Sequence, residues 1–123
     1  MTLPSISSNR RFQVWSYKVG HSELLLRATK TDEFPTRIDV LFKGVKEFHL
    51  PTLCDGLSIT DASDEEVLKL CDLRKSPTLF NREKVFVVQG TDFVGYVAAL
   101  GVFSHEDKGE YVDPSVFDFD PKK

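Results

Sequence analysis

The sequence has few of the residues that mark specialised classes of protein. It contains two cysteines and one methionine in 123 residues, and Lys plus Arg total 16 against 19 for Asp plus Glu. The net charge of −3 has the wrong sign for a nucleic-acid-binding module, which carries a basic surface. The longest apolar run, residues 93–103, is too short to cross ~30 Å of hydrocarbon. We therefore expect neither nucleic acid nor a membrane as a partner.

The N-terminus and the cysteines give no sign of export. Residues 1–9 lack the charged start and long apolar stretch of a signal peptide, and they are predicted to be a flexible lead-in. Cys54 and Cys71 form no Cys-x-x-Cys motif, so no metal site is predicted from them. Two reduced thiols in a cytoplasmic protein is the simplest interpretation, and one disulfide is the alternative.

Catalytic and cofactor motifs are also missing. The chain contains no Gly-x-Gly-x-x-Gly, no phosphate-binding loop of the Gly-x-x-x-x-Gly-Lys type, no His-Glu-x-x-His and no Gly-x-Ser-x-Gly. We predict no cofactor, and a non-enzymatic protein fits the sequence better than an enzyme.

Three short loops predict hairpins, of which the first lies at residues 20–21. A type II′ turn there pairs Tyr17 with Leu24 and Trp15 with Leu26, which produces one apolar face. The same register leaves three apolar residues on the opposite face, to pack on another layer of the chain or on a second copy: Phe12, Val14 and Leu25.

The second predicted hairpin brings together the candidate catalytic residues. It turns at residues 43–45, with Gly44 in a left-handed conformation, and it places Asp39 beside His49 on the polar face. An aspartate in that position orients an imidazole as a general base. Asp39, His49 and Arg37 are therefore the candidates for a catalytic or ligand-binding site. Cys54 lacks a helix start behind it that would lower its pKa, which argues against a Cys/His/Asp triad.

The third predicted hairpin turns at residues 90–91 and pairs Val87 with Val94 and Phe86 with Gly95. Both of its faces are apolar, which predicts a central position in the sheet that is covered on both sides.

One helix is predicted over about residues 63–74. Ser63 and Glu66 have the spacing of a capping box, and Val67 and Leu70 lie on one face. Consecutive hairpins around one helix predict an α+β, β-rich fold, with a predominantly antiparallel curved sheet or partly closed barrel of about six to eight strands.

The chain divides into a lead-in (1–9), a single α+β domain (10–105) and an acidic tail (106–123). The tail holds six acidic residues against three lysines, a balance equal to the net charge of the whole chain. It also contains Phe117 and Phe119 in an alternating aromatic and acidic run. These rings either dock on the domain as an extra edge strand or bind a partner by strand addition.

A small basic group is predicted near the start of the domain. Arg10 and Arg11 precede Phe12, and Arg27 and Lys30 lie near them on the adjoining strand. A basic strand end with aromatic side chains can bind single-stranded nucleic acid. The overall charge gives that interpretation no support, and a solvated strand end is the simpler one.

The leading functional hypothesis is a small cytoplasmic protein-interaction module, immunity- or adaptor-like, whose partner is another protein or a second copy of itself. It depends on the missing catalytic motifs and on the apolar residues of the tail and edge strands. The alternative is a small-ligand-binding β-barrel or minor enzyme that uses the face carrying Asp39 and His49.

Overall fold

The computed structural model describes residues 6–74, 83–110 and 115, with residues 71–74 described by their backbone alone. Within these ranges the chain forms one antiparallel sheet of eight strands and one helix, which confirms the predicted β-rich α+β class. The hydrogen-bonded order of the strands is β4-β7-β6-β5-β1-β2-β3-β8. The elements are β1 (Ile6–Lys18), β2 (Glu23–Ala28), β3 (Arg37–Lys43), β4 (Glu47–His49), β5 (Leu53–Asp61), α1 (Asp64–Arg74), β6 (Lys84–Gln89), β7 (Val94–Ala99) and β8 (Gly101–Asp107).

Two bent segments of the chain lie side by side, and each of them links an inner strand of this order to a strand at one of its ends. β3 leads into β4 across residues 44–46, and β7 leads into β8 across Leu100. β3 pairs with β8 and β4 pairs with β7. At the bend, Leu100 N donates to Lys43 O (2.9 Å) and Lys46 N donates to Ala98 O (2.8 Å). Each end strand is therefore joined through the bend to an inner strand, and the sheet is curved.

The predicted hairpin between β3 and β4 is wrong. Gly44 does have left-handed backbone, with φ of 65°, but it bends the chain without reversing it. Leu100 packs on Gly44 so closely that a Cβ there would lie 2.5 Å from its Cδ1 atom. The turn chemistry was identified correctly, but the partner strand lies far away in the sequence, where a local register argument does not reach.

The first hairpin is present, but a bulge changes its faces. The register follows the prediction at Tyr17 and then shifts around Trp15, so that Val14 lies opposite Leu26. Phe12 consequently packs in the core, although the predicted register placed it outside. A bulge inserts one extra residue on one strand and so reverses the alternation of side chains beyond it.

The turn of that hairpin also differs from the prediction. The connection between β1 and β2 covers residues 19–22, and Ser22 has a positive φ of 51°. Gly20 has no positive φ, which a type II′ turn at residues 20–21 would require. Leu25 lies on the face opposite the core residues Leu24 and Leu26, as predicted, and it is buried there.

The third hairpin is present with its register displaced by two residues. Gln89 pairs with Val94 and Val88 with Gly95, and Gly90 N donates to Phe93 O (3.0 Å) inside the longer loop. A displacement of two residues keeps every side chain on its predicted face, because strand side chains alternate with a period of two. The predicted faces of this hairpin are therefore correct, although its predicted residue pairs are wrong.

The helix begins as the sequence predicts. Ser63 N donates to Glu66 Oε1 (3.0 Å), and Glu66 N donates to Ser63 Oγ (3.2 Å), which completes the capping box. The hydrogen bond from Ser63 N to the carboxylate is the main cause that holds the pKa of Glu66 below its ordinary value. Leu70 of α1 packs on Val85 and Ala98, so the helix covers β6 and β7 on the outer face of the sheet.

The main core lies on the other face, which carries alternate side chains from most of the strands. Its central members are Phe12, Leu24, Leu26, Val40, Phe42, Phe86, Val88 and Val97.

β1 begins at Ile6 and β8 ends at Asp107, so both strands extend into the segments that were predicted to be a lead-in and a tail outside the domain. Phe117 and Phe119 lie outside the described residues. No helix in the described ranges is long and apolar enough to cross a membrane.

Candidate functional site

The predicted polar face is not assembled, because Asp39 is occupied by a different partner. Asp39 lies between Arg27 of β2 and His105 of β8 in the sheet. Its carboxylate accepts two hydrogen bonds from Arg27, from Nε (2.7 Å) and from Nη2 (3.1 Å). Both side chains are almost fully buried, and the Arg27 guanidinium lies 4.7 Å from the centre of the Trp15 ring. Asp39 is therefore committed to a buried ion pair.

Arg37 is also committed to an ion pair. Its Nε and Nη2 donate to the two oxygens of Asp107, each at 3.0 Å, and Nη1 donates to Glu110 O at 3.2 Å. Hydrogen bonding by Arg37 is the main cause that holds the pKa of Asp107 below its ordinary value. Gly109 lies against the guanidinium, where a Cβ would overlap it. Arg37 thus fastens the end of β8 to β3.

His49 and Cys54 lie apart from these pairs. His49 belongs to β4, pairs with Tyr96 of β7 and stacks on its ring at 6.1 Å between centroids. Cys54 is a free, buried thiol in β5, and burial is the main cause that raises its pKa. The pairing of β4 with β7 removes His49 from Asp39, so the hypothesis of a general base oriented by Asp39 is wrong.

The structure instead contains a cleft at the junction of β1, the end of β2 and the loop that follows β2. Its volume is about 650 Å³, which is within the range of small-molecule sites. Three arginines, two amide side chains and three carboxylates face it. The lining residues are Asn9, Arg10, Arg11, Gln13, Arg27, Thr29, Thr31, Asp32, Glu33, Phe34 and Asp55.

Arg10 shapes this cleft by holding the loop of residues 29–36. Its Nη2 donates to Thr29 O (2.9 Å) and Thr36 O (2.5 Å), and its Nη1 donates to Thr36 Oγ1 (3.2 Å). The guanidinium lies 4.6 Å from the centre of the Phe34 ring. The loop is closed further by reciprocal backbone hydrogen bonds between Thr31 and Phe34. These bonds fix the position of the loop that forms the cleft wall.

The other charges of the cleft differ in their partners. Arg11 pairs with Asp55 at 2.6 Å in an exposed position, and Arg27 pairs with Asp39 beneath the surface. Asp32 and Glu33 are exposed on the loop and have no ion-pair partner among the described residues. Two arginines of the wall are thus paired with carboxylates of the chain itself, whereas the carboxylates of Asp32 and Glu33 are exposed to solvent.

The second candidate surface is the outer edge of β8. In a regular strand one side chain of every two is covered, yet four consecutive residues of β8, 103–106, are exposed. Phe103 is 50% exposed, and Lys43 Nζ lies 5.9 Å from its ring centre. β8 ends the strand order and has β3 as its one strand partner in the described chain. Among the described residues, no strand pairs with its outer backbone edge.

Sequence reasoning identified the basic group at Arg10 but missed its arrangement. Arg10 and Phe12 have the same parity in β1, so an inward Phe12 implies an inward Arg10. Because the predicted register placed Phe12 outside, this signal was lost. The edge at β8 was missed for a different reason, since it depends on which strands meet across the bend.

No protein-family model, curated protein or solved structure matches this chain. Within the part of the chain that the structure describes, no group of three or more His, Cys, Asp and Glu side chains is placed to hold a metal ion.

Proposed function

We propose that the protein is a non-enzymatic protein-interaction module, immunity- or adaptor-like, that binds an extended segment of a partner protein along β8. The observation that carries the proposal is the run of four consecutive exposed residues, 103–106, on a strand at the end of the sheet order. An added strand would form main-chain hydrogen bonds with this edge, which is a common mode of peptide recognition.

The side chains of β8 supply specificity in this arrangement. Phe103 is a half-exposed ring that offers an apolar contact, while His105 and Glu106 offer polar ones. An aromatic side chain at the centre of an interface contributes more than most residues to affinity. The far end of the order, β4, is a weaker site because it has three residues and its Phe48 already packs on Tyr17.

The proposal places the protein in the cytoplasm. The buried thiol of Cys54 is free, and reducing compartments maintain cysteines in that state. A partner in the same compartment is therefore the one to seek.

The test compares Phe103→Lys with Val94→Lys, a change of the same kind at an exposed apolar residue of β7. Binding partners are captured from a lysate of the source cells with the wild-type chain, and hydrogen exchange then maps the contact. We expect slower exchange at residues 103–106 in the complex and at least a tenfold loss of affinity for Phe103→Lys, whereas Val94→Lys binds normally. Equal binding by both variants, or protection elsewhere, would contradict the proposal.

Sedimentation of the purified chain separates a foreign partner from a second copy. We expect a monomer at micromolar concentration, because Lys43 lies beside Phe103 and two copies of this edge would bring their positive charges together. A dimer that Phe103→Lys dissociates would overturn the choice of a foreign partner.

A further inference from the structure

The charge of Arg10 is the unusual feature of the cleft. The side chain is buried, with the residue 7% exposed, yet no carboxylate of the described residues lies within ion-pair distance of its guanidinium. The nearest link to a negative charge passes through Thr36, whose hydroxyl accepts from Arg10 and donates to Glu106. Of the three arginines that line the cleft, Arg11 and Arg27 have direct carboxylate partners and Arg10 has none among the described residues.

Carbonyl dipoles and the Phe34 ring stabilise this cation only in part. A buried charge is costly unless a counter-charge and hydrogen bonds replace its water. Arg10 has the hydrogen bonds, but its Nε–H donates to no described residue. Burial is the main cause that lowers the pKa of Arg10, against a smaller opposing effect of Glu106. Among the described residues, the positive charge thus has no direct counter-charge at the wall of an open cavity.

The remaining groups of the cleft narrow the kind of anion that fits. Asp32 and Glu33 at the rim repel negative charge, and they repel a dianion more strongly than a monoanion. Gln13 and Asn9 offer amide donors, and Phe34 offers apolar surface for the body of a ligand. These features favour a single carboxylate on an apolar body over a phosphate.

We propose that the cleft binds the carboxylate of a small organic ligand, with the negative charge towards Arg10 and the apolar body towards Phe34. This is a second binding site, separate from the β8 edge, and it does not depend on the function proposed above. It also moves the alternative hypothesis of ligand binding from the face of Asp39 and His49 to a cavity that the structure contains.

The experiment titrates benzoate into the 15N-labelled full-length chain and follows backbone amide shifts. Benzamide, which has nearly the same shape and no charge, is the matched control ligand, and inorganic phosphate tests the dianion. We expect saturable shifts at residues 9–13 and 29–34 with a Kd on the order of 10 mM for benzoate, the affinity expected for a fragment of this size. Benzamide and phosphate should bind at least tenfold more weakly.

Two variants keep the test independent of folding, because neither disturbs the bonds made by Arg10. Gln13→Glu adds a negative charge to the wall and should weaken benzoate at least tenfold, while Asp32→Asn should strengthen it two- to threefold. Equal shifts with benzoate and benzamide, absence of saturation at these residues, or unchanged benzoate affinity in Gln13→Glu would each overturn the proposal.

Discussion

Among the described residues, the most deeply buried ion pair is that of Arg27 and Asp39. Two hydrogen bonds join them, both side chains are nearly inaccessible to water, and Trp15 lies on the guanidinium. The attraction of such a pair is offset by the cost of removing both charges from water. We therefore expect a large loss of folding stability when one partner is removed and the other remains.

Asp39→Asn should lower the free energy of unfolding by about 3–5 kcal/mol, because Arg27 would stay charged and buried after losing the Asp39 carboxylate. Urea denaturation at neutral pH measures the loss. The double variant Arg27→Met/Asp39→Leu removes both charges and should regain most of the stability. If the single variant were as stable as the wild type, the ion pair would not have the role assigned to it.

Asp107 connects stability to pH with a definite sign. Its pKa is lowered in the folded chain, mainly by hydrogen bonding from Arg37, so its contribution is fully present above the ordinary Asp pKa of about 3.9. That contribution is lost as the pH falls through the lowered folded value. Asp107→Asn should destabilise the protein by about 2 kcal/mol at pH 7, and the difference from wild type should shrink below about pH 4.

Denaturation midpoints measured from pH 7 to pH 2.5 test this linkage, with Asp61→Asn as the control because Asp61 is exposed. The control should follow the wild-type profile. A constant difference between wild type and Asp107→Asn across the acidic range would refute the assignment.

Among the elements, local chemistry predicted the helix and two hairpins but not the bend. The capping box at Ser63 and the turn residues around Gly90 act over a few residues, so the sequence displays them directly. Gly44 has the left-handed backbone that was predicted, but a left-handed residue is compatible with a bend as well as with a turn. The choice between them depends on β8, which a register argument along neighbouring residues does not include.

The same distinction applies to the candidate site. Arg10 was identified from its position beside Arg11 and Phe12, whereas its contacts with the loop at Thr36 required the fold. Asp39 was chosen for its carboxylate, and its true partner Arg27 lies on β2, a strand that was correctly predicted. Asp39 pairs with Arg27 and not with His49 because β3 pairs with β2 and β8, whereas β4 pairs with β7.

β4 depends on the absence of a side chain at Gly95. A Cβ at this position would overlap the carbonyl oxygen of His49, so Gly95→Ala should separate β4 from β7 and lower stability by about 2–4 kcal/mol. Gly20→Ala is the matched control, because nothing lies within 4 Å of a Cβ there. Hydrogen exchange at residues 47–49 measures the separation, and unchanged protection in Gly95→Ala would contradict it.

For the whole molecule, the decisive pairing joins segments that are far apart in the chain. β3, residues 37–43, lies between β2 and β8, and β8 begins only at Gly101. The entropy of closing such a loop must be lost before the pairing contributes stability. The distant pairing should therefore slow folding more than it lowers stability, because loop-closure entropy rises only slowly with loop length.

Refolding should take from milliseconds to seconds, as for other sheets with distant pairings. Trp15, the one tryptophan of the chain, lies on Arg27 beside the cleft, so stopped-flow fluorescence reports when this region forms. A refolding time in microseconds would be inconsistent with this topology.

Ser63→Ala weakens the local cap at the start of α1 and should lower the free energy of unfolding by about 1 kcal/mol. We expect this variant to accelerate unfolding more than it slows refolding.

The bulge around Trp15 also determines which inherited insertions and deletions the first strand tolerates. Val14 already lies opposite Leu26, so losing the codon for Trp15 would leave the neighbouring pairs and their faces unchanged. Losing the codon for Gln13 instead would exchange interior for exterior in the strand, because Phe12 would take the outward position of Gln13 opposite Arg27. We expect gene variants that are shortened by one residue in this stretch to yield folded protein when Trp15 is the residue lost.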